Sequence, residues 1–450
     1  MMNMAAADNH YDAVVVGLGE TGYACVAHLG ARGQRVAVVD TRNAPPQAER
    51  LRADYPEVSQ YLGAVDADLL CSAAAVVVSP GVDTRLPAIA AARQAGVPVI
   101  GEIELFARSA RAPVVAITGS NGKSTVTSMV GEMMRAGGWC AGVGGNLGPA
   151  ALTLITDPEP DCYVLELSSF QLETVATLDA AAAVVLNISP DHLDRYDDLA
   201  DYIAAKRRIY RGTGTMVLNA DDPAVTAMAE PGRAIRRFSL GEPGAAGDAG
   251  IIRYNGAAWL VVGGEPVMPV SDLPLAGAHN TANALAALAL GAAMGLSPAA
   301  MAAGLSGFAG LAHRMEALGE YWGCRWYNDS KATNVGATVA AVSGLDRPFV
   351  LIAGGQGKDQ SFAPLADVAA NARGVVVMGE SASAVEAVVG DITGVVHATS
   401  MSDAVTRAAA LARPGDAVVL SPACASFDQY DGYAQRGEAF RTAVEGLGDG

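Results

Sequence analysis

The chain is short of positive charge: 30 Lys and Arg face 47 Asp and Glu, leaving a formal net charge of −17 over 450 residues. A general nucleic-acid binder needs a basic surface to neutralise phosphates, so that class is excluded. A few local cations can still hold one anionic substrate against the global sign. Paired cysteines are missing too. Cys25, Cys71, Cys140, Cys162, Cys324 and Cys424 lie far apart with no CxxC among them. That pattern speaks for free thiols in a reducing compartment, and against a zinc cluster or a disulfide framework. The opening MMNMAAADNHYDA has neither a basic start nor a long apolar stretch, so no signal peptide is expected. A membrane span is also lacking. Leu273 to His313 carries no Asp, Glu, Lys or Arg, yet its longest apolar run, Ala284 to Leu296, is 13 residues, and Pro298 interrupts the stretch. A spanning helix needs roughly 20. The expectation is a buried core helix in a soluble, cytoplasmic protein, with a monomer as the default.

What is present is apolar and periodic. Hydrophobic residues make up 51% of the chain and charged ones 17%, which suits well-buried globular domains, and the length argues for two or three of them. Three times a β-branched run feeds a glycine-rich turn and then a helix-like stretch: Ala13–Val16 into Gly17-Leu18-Gly19, Val114–Ile117 into Thr118-Gly119, and Phe349–Ile352 into Gly354-Gly355-Gln356-Gly357. Continuous apolar runs of this kind fit parallel strands buried on both faces. Further strands are expected at Val36–Val39, Val76–Val78, Tyr163–Leu165, Ala183–Ile188, Met216–Leu218, Val375–Val377 and Ala417–Leu420. The predicted fold is α/β with three domains, each a doubly wound, largely parallel sheet. The first (1–101) is Rossmann-like, the second (102–310) P-loop-type and the third (311–450) Rossmann-like, with ligands at the carboxyl ends of the strands. Gly241 to Val270 reads as a β-hairpin excursion.

The segment Thr118-Gly119-Ser120-Asn121-Gly122-Lys123-Ser124-Thr125 follows a strand and precedes the helical stretch Val126–Arg135. Its glycines let backbone N–H groups turn around an anion, and the helix start adds partial positive charge. Lys123 reaches toward the β- and γ-phosphates of ATP, and the Ser124 hydroxyl can ligate magnesium. The full GxxxxGK[ST] pattern is not met, because Ile117 stands where its first glycine belongs. Such a loop alone would serve a switch or a motor as well as a ligase.

Glu166 ends the strand Tyr163–Leu165, where a magnesium ligand is wanted, although a solvated strand-end acid reads equally well. His192, in Ser189-Pro190-Asp191-His192-Leu193-Asp194-Arg195, is either structural or a metal or phosphate ligand. Lys206, in Ala204-Ala205-Lys206-Arg207-Arg208, looks like an exposed helix lysine with no role. Gly17-Leu18-Gly19-Glu20-Thr21-Gly22 satisfies GxGxxG, with Asp40 ending the next strand 18 residues later. Read without context, that is an NAD site.

The segments TGSNGKST, ELSSFQLE, NISPDHLDRY with a lysine after it, HNTANALAA, HRME, DSKATN and SPACASFDQY occur along the chain in a single order. Together they resemble the Mur ligase family of peptidoglycan synthesis across essentially the whole chain. Within it, the resemblance is to members that join D-glutamate to UDP-N-acetylmuramoyl-L-alanine at the expense of ATP. It implies that Ser124 and Glu166 hold one magnesium ion, and His192 and a CO₂-carbamylated Lys206 a second. Asn280, Arg314 and Asp329 surround the adenosine and phosphates, with Asn283 left outside the site. Thr333, Ser426, Phe427 and Tyr433 receive glutamate together with Lys331 and Lys358, Tyr433 standing where Phe is the expectation. Lys123, His192, Lys206, Lys331 and Lys358 form the implied catalytic set. The first domain then holds the uridine diphosphate through Gly19, Thr21, Asp40, Thr41, Arg42, Ser79 and Gly81, with Asn146 reaching over from the second. Glu20 receives no binding role, since an acid beside a diphosphate is tolerable only if it points away.

Rival readings are a folylpolyglutamate synthase, which should lack the N-terminal nucleotide domain, an NAD-dependent oxidoreductase, and a P-loop switch or motor. The last two leave DSKATN and SPACASFDQY unexplained.

Overall fold

A computed structural model describes residues 10–192, 195–275, 277–357 and 360–448. Three sheets are built in turn, each from one contiguous segment. The first holds β1 (Ala13–Val16), β2 (Val36–Asp40), β3 (Ser59–Leu62), β4 (Val76–Val78) and β5 (Val99–Gly101), all parallel, in the order β3-β2-β1-β4-β5. The chain order therefore reverses between β1 and β4, and a crevice opens at their carboxyl ends.

The second sheet holds β6 (Val114–Thr118), β7 (Ala141–Gly145), β8 (Cys162–Glu166), β9 (Ala182–Val185), β10 (Thr215–Asn219), β11 (Ile235–Phe238), β12 (Ala249–Tyr254), β13 (Ala257–Val262) and β14 (Glu265–Pro269). Its order is β14-β13-β12-β11-β10-β9-β6-β8-β7. The strands from β7 to β12 pair in parallel, and β12, β13 and β14 form an antiparallel meander at one edge, where the sequence suggests a single hairpin. β6 sits between β8 and β9, so the loop after it lies among the ends of its neighbours.

The third sheet holds β15 (Glu316–Tyr321), β16 (Cys324–Asn328), β17 (Phe349–Gly354), β18 (Ala372–Met378), β19 (Val395–His397) and β20 (Ala417–Leu420), in the order β15-β16-β20-β17-β18-β19. Among the described residues, the β15–β16 pair is the antiparallel one in this sheet.

The charge-free stretch after Leu273 becomes the helix Ala278–Ala293, in which Leu285, Leu288 and Leu290 are fully buried. Each such leucine contributes about 1.5–3 kcal/mol on leaving water, which is reason enough for the composition. Among the described residues no helix is long and apolar enough to cross a membrane.

Candidate active site

At the β1/β4 crevice a cavity of about 730 Å³ gathers Gly19, Thr21, Asp40, Thr41, Arg42, Ser79, Gly81 and Asn146, all the residues expected there. The turn after β1 needs its glycines: Gly17 has φ 95°, and a Cβ on Gly22 would run into the Gly17 carbonyl. Ser79 Oγ donates to that same carbonyl at 2.8 Å. Asp40 is spoken for. Its Oδ2 accepts the Leu18 amide at 2.7 Å, and Arg42 reaches both oxygens, Nε to Oδ1 at 2.9 Å and Nη2 to Oδ2 at 2.7 Å. Burial alone would raise this carboxyl, but the Arg42 and Leu18 bonds outweigh it and hold it below the usual carboxylate range. A dinucleotide site needs that acid for a ribose hydroxyl; here a guanidinium already neutralises it. Glu20 also lines the cavity, but its carboxylate accepts from Gln47 Nε2 at 2.5 Å and is three-quarters exposed.

The phosphate loop is held from outside. Gly119 and Gly122 take positive φ, and a Cβ on Gly122 would strike Asn283 Oδ1. The Asn187 side chain clamps Asn121, accepting its amide at 2.8 Å and donating to its carbonyl at 3.0 Å. Ser120 Oγ is tied to the Ser189 carbonyl and to the Tyr202 hydroxyl, each at 3.0 Å. Lys123 Nζ donates to the carbonyls of Gly119 and Ser120. It stands beside a second amine: Lys206, 2% exposed, donates to the Gly119 carbonyl at 2.8 Å. The expectation of an exposed lysine is thus overturned. Lys206 follows Tyr202 by one helical turn, and both lie on the buried face of the helix Leu199–Arg207. Burial first, and then the charge of Lys123, push the Lys206 amine well below the ordinary lysine range, against the pull of Asp191 and Glu166.

Glu166 is 2% exposed. Its Oε1 accepts Asn146 Nδ2 at 2.6 Å, while its Oε2 is buried without a hydrogen-bond partner. An orphaned carboxylate oxygen costs free energy unless something satisfies it, and a cation fits that need. Asn146 therefore touches both the first cavity and the Glu166 carboxylate. His192, at φ 57°, lies 3.7 Å from Asp191 Oδ2, with its ring edge against Phe170. Among the described residues no three His, Cys, Asp or Glu side chains cluster as metal ligands. A metal here would also need oxygen from Ser124 or from a modified Lys206.

On the far side of the loop a cavity of about 330 Å³ runs between the second and third segments. Asn121, Gly122, Thr125, Asn280, Arg314, Asp329 and Lys331 line it, and Asn283 does so as well, although the sequence reading leaves it out. Asn283 stands one turn after Asn280 and donates to its Oδ1 at 3.5 Å. Arg314 Nη2 donates to Ser124 Oγ at 2.6 Å, across the two segments. Its neighbours His313 and Met315 both take left-handed φ, 62° and 45°, a turn that costs about 1–3 kcal/mol per residue and aims the guanidinium inward. Burial drives the Asp329 carboxyl up to about 7, although the Ser421 hydroxyl, the Met315 amide and Arg314 act against it.

The chain matches the Mur ligase MurD-like N-terminal domain over residues 11–101, the Mur ligase middle domain over 117–291 and the Mur ligase glutamate ligase domain over 313–424. It is 54% identical to the UDP-N-acetylmuramoylalanine–D-glutamate ligase of Nitrosococcus oceani over 434 residues, covering 96% of each chain. The chain belongs to the Mur ligase family. A second relative of the same name, from Pseudomonas aeruginosa, is 48% identical and covers 99% of this chain and 100% of its own. In fold, this Mur ligase is similar to the solved UDP-N-acetylmuramate-alanine ligase MurC of Thermotoga maritima, with a TM-score of 0.61 at 18% identity over 97% of this chain and all of that one.

The residues expected to receive glutamate are less gathered in this Mur ligase. Lys331 Nζ lies 3.7 Å from the centroid of the Tyr433 ring, a cation–π contact that a Phe would also supply. Ser426 is buried, whereas Phe427 is 67% exposed. Thr333, Ser426, Phe427 and Tyr433 line neither of these two cavities. Lys358 lies outside the described residues. Two supports were not singled out from sequence: Asn187 and Asn334. Asparagine at the end of β9 was visible; its clamp on Asn121 depends on β9 pairing with β6, which no local pattern reveals.

Proposed function

We propose that this Mur ligase joins D-glutamate to UDP-N-acetylmuramoyl-L-alanine, with cleavage of ATP to ADP and phosphate, in cytoplasmic peptidoglycan precursor synthesis. Cell-wall growth, cell shape and division would depend on its product. The domains are 1–101 for the UDP substrate, 102–310 for ATP and 311–450 for glutamate. The single observation that carries the reading is the buried, partnerless Glu166 Oε2 beside a phosphate loop, with the UDP-side Asn146 bonded to the same carboxylate.

The substrate carboxylate attacks the γ-phosphorus of ATP, ADP leaves, and an acyl phosphate results. The glutamate amine then attacks the acyl carbon, loses a proton, and the tetrahedral intermediate expels phosphate. Charge develops on phosphoryl and carboxyl oxygens, so cations carry most of the stabilisation. The P-loop amides of residues 118–125, Lys123 and Arg314 face the phosphates. Asn280, Asn283 and Asp329 hold the nucleoside. Ser124 and Glu166 would hold one magnesium ion, His192 and Lys206 another, and the metal would offset phosphate charge as a Lewis acid. Lys206 suits carbamylation because its lowered pKa favours the neutral amine, whose lone pair adds to CO₂ with release of a proton. The product is a carbamate anion, which would give the second ion an oxygen donor beside His192. Lys331, Thr333, Lys358, Ser426, Phe427 and Tyr433 receive glutamate.

Phosphate release is the test. It should require both UDP-N-acetylmuramoyl-L-alanine and glutamate; hydrolysis indifferent to either, or hydride transfer with NAD, contradicts the reading.

A further inference from the structure

Asn334 opens the helix Val335–Ser343 of the third segment and is 4% exposed. Its Oδ1 accepts the Ala337 amide at 2.8 Å, which is the N-cap bond of that helix. The cap fixes the orientation of the side-chain amide, so the Nδ2 end must face away from the helix. It donates to Asp191 Oδ2 at 3.2 Å and to Asn121 Oδ1 at 3.3 Å. Both acceptors belong to the second segment. Asn121 is the phosphate-loop residue whose backbone Asn187 clamps. Asp191 precedes His192 and takes its amide on Oδ1 at 3.0 Å. The helix start rests directly on these loops: a Cβ on Gly336 would lie 3.3 Å from Ser189 Oγ and 3.5 Å from Asn121 Nδ2.

We propose that Asn334 is a positioning residue for the ligation. One end of its amide orders the glutamate-side helix, and the other docks that helix on the phosphate loop and the His192 loop together. The third segment is thereby seated only when both loops hold the arrangement that its two acceptors define. Asn334 acts through Asn121, Asp191 and the helix, and needs no contact with a substrate. The inference rests on the ligase reading of the site.

The cap and the clasp can be separated chemically. Asp and Ser cap a helix about as well as Asn. Asn334→Asp keeps the acceptor for Ala337 but loses the donor and turns a second carboxylate toward Asp191. Asn334→Ser keeps a cap and loses the reach. Asn334→Ala loses both.

The experiment compares thermal melts, MgADP affinity, and steady-state kinetics with D-glutamate varied at saturating ATP and nucleotide substrate. Asn334→Asp and Asn334→Ser should melt close to wild type, with Asn334→Ala lower. Both capped variants should lose about tenfold or more in kcat/KM for glutamate, the scale of one hydrogen bond to a charged group. MgADP affinity, to which the third segment contributes Arg314 and Asp329 in the shared cavity, should fall by a smaller factor than kcat/KM for glutamate. Wild-type kcat/KM in Asn334→Asp or Asn334→Ser overturns the proposal. So does a kinetic loss that tracks the melting temperature across all three variants, since that would make the role structural. A wild-type enzyme without glutamate-dependent turnover sinks the ligase reading itself, and the clasp with it.

Discussion

Lys206 shows how a side chain's role can hide in plain sequence. It stands first in a run of three basic residues, and its neighbour Arg207 is half exposed. The usable signal was the spacing to Tyr202: both fall on the buried helix face, with the ammonium 4.5 Å from the ring centroid. A lysine there is unfavourable as a permanent cation, because burial and Lys123 both oppose its charge. Lys206→Ala should therefore fold well and fail in catalysis. Turnover should drop about 100-fold or more, on the scale of losing a few kcal/mol of metal-borne charge stabilisation. Added short carboxylic acids should restore part of it. Phosphate release near wild-type levels in the variant would remove the carbamate from the mechanism. Glu166 was easier to read, because strand-end acids beside a phosphate loop are where a metal ligand is wanted. Its orphaned oxygen, however, is a fact of packing that no sequence displays.

Among the elements, those carrying continuous apolar runs were legible and those at edges were not. β1, β4, β6, β8, β17 and β20 are buried on both faces and read directly as strands. β7 is Ala-Gly-Val-Gly-Gly, with no apolar run to mark it as a strand. Its glycines are required by neighbours distant in sequence: a Cβ on Gly144 or Gly145 would strike the Pro149 or Glu166 carbonyl. β3, Ser-Gln-Tyr-Leu, is polar because it lies at the edge of its sheet.

The helix Glu102–Ala107, which comes directly after β5, carries a carboxyl with a measurable consequence. Glu102 Oε1 accepts the Leu152 amide at 2.7 Å, and Oε2 has no partner. Burial pushes this carboxyl up to about 7, against the Leu152 and Ala151 amides. Below about pH 4.5 the side chain is neutral in both folded and unfolded chains. Between there and pH 7 the unfolded chain gives up the proton while the folded one keeps it, so stability falls as pH rises, by on the order of 3 kcal/mol at pH 8. The melting temperature should decline from pH 5 to pH 8, and Glu102→Gln should make that decline shallower. Asp329, also near 7, leaves a residual slope. Parallel melting curves for the two proteins would show that the Glu102 carboxyl is not the group responsible.

At the scale of the whole molecule, three sheets bring their loops toward one phosphate loop. The first segment is joined to the second by Arg195, which donates to the Val82 carbonyl at 3.0 Å and Glu173 at 3.3 Å and covers the Phe170 ring. The third reaches the loop through Arg314 on Ser124 and Asn334 on Asn121. The existence of three α/β units was readable from three repeats of strand, glycine turn and helix. The contacts between them were not, since the bonds Arg195–Val82, Arg314–Ser124 and Asn334–Asn121 join residues 113, 190 and 213 positions apart.

The central claim, that this assembly forms one amide bond between a UDP-linked alanine carboxylate and D-glutamate, is tested most directly by the mass and stereochemistry of the product. ATP, magnesium and UDP-N-acetylmuramoyl-L-alanine should be supplied with each glutamate enantiomer in turn. The predicted product is the nucleotide substrate plus one glutamate minus one water, with one phosphate released per adduct, from D-glutamate alone. An adduct from L-glutamate, or phosphate release without any adduct, would contradict it.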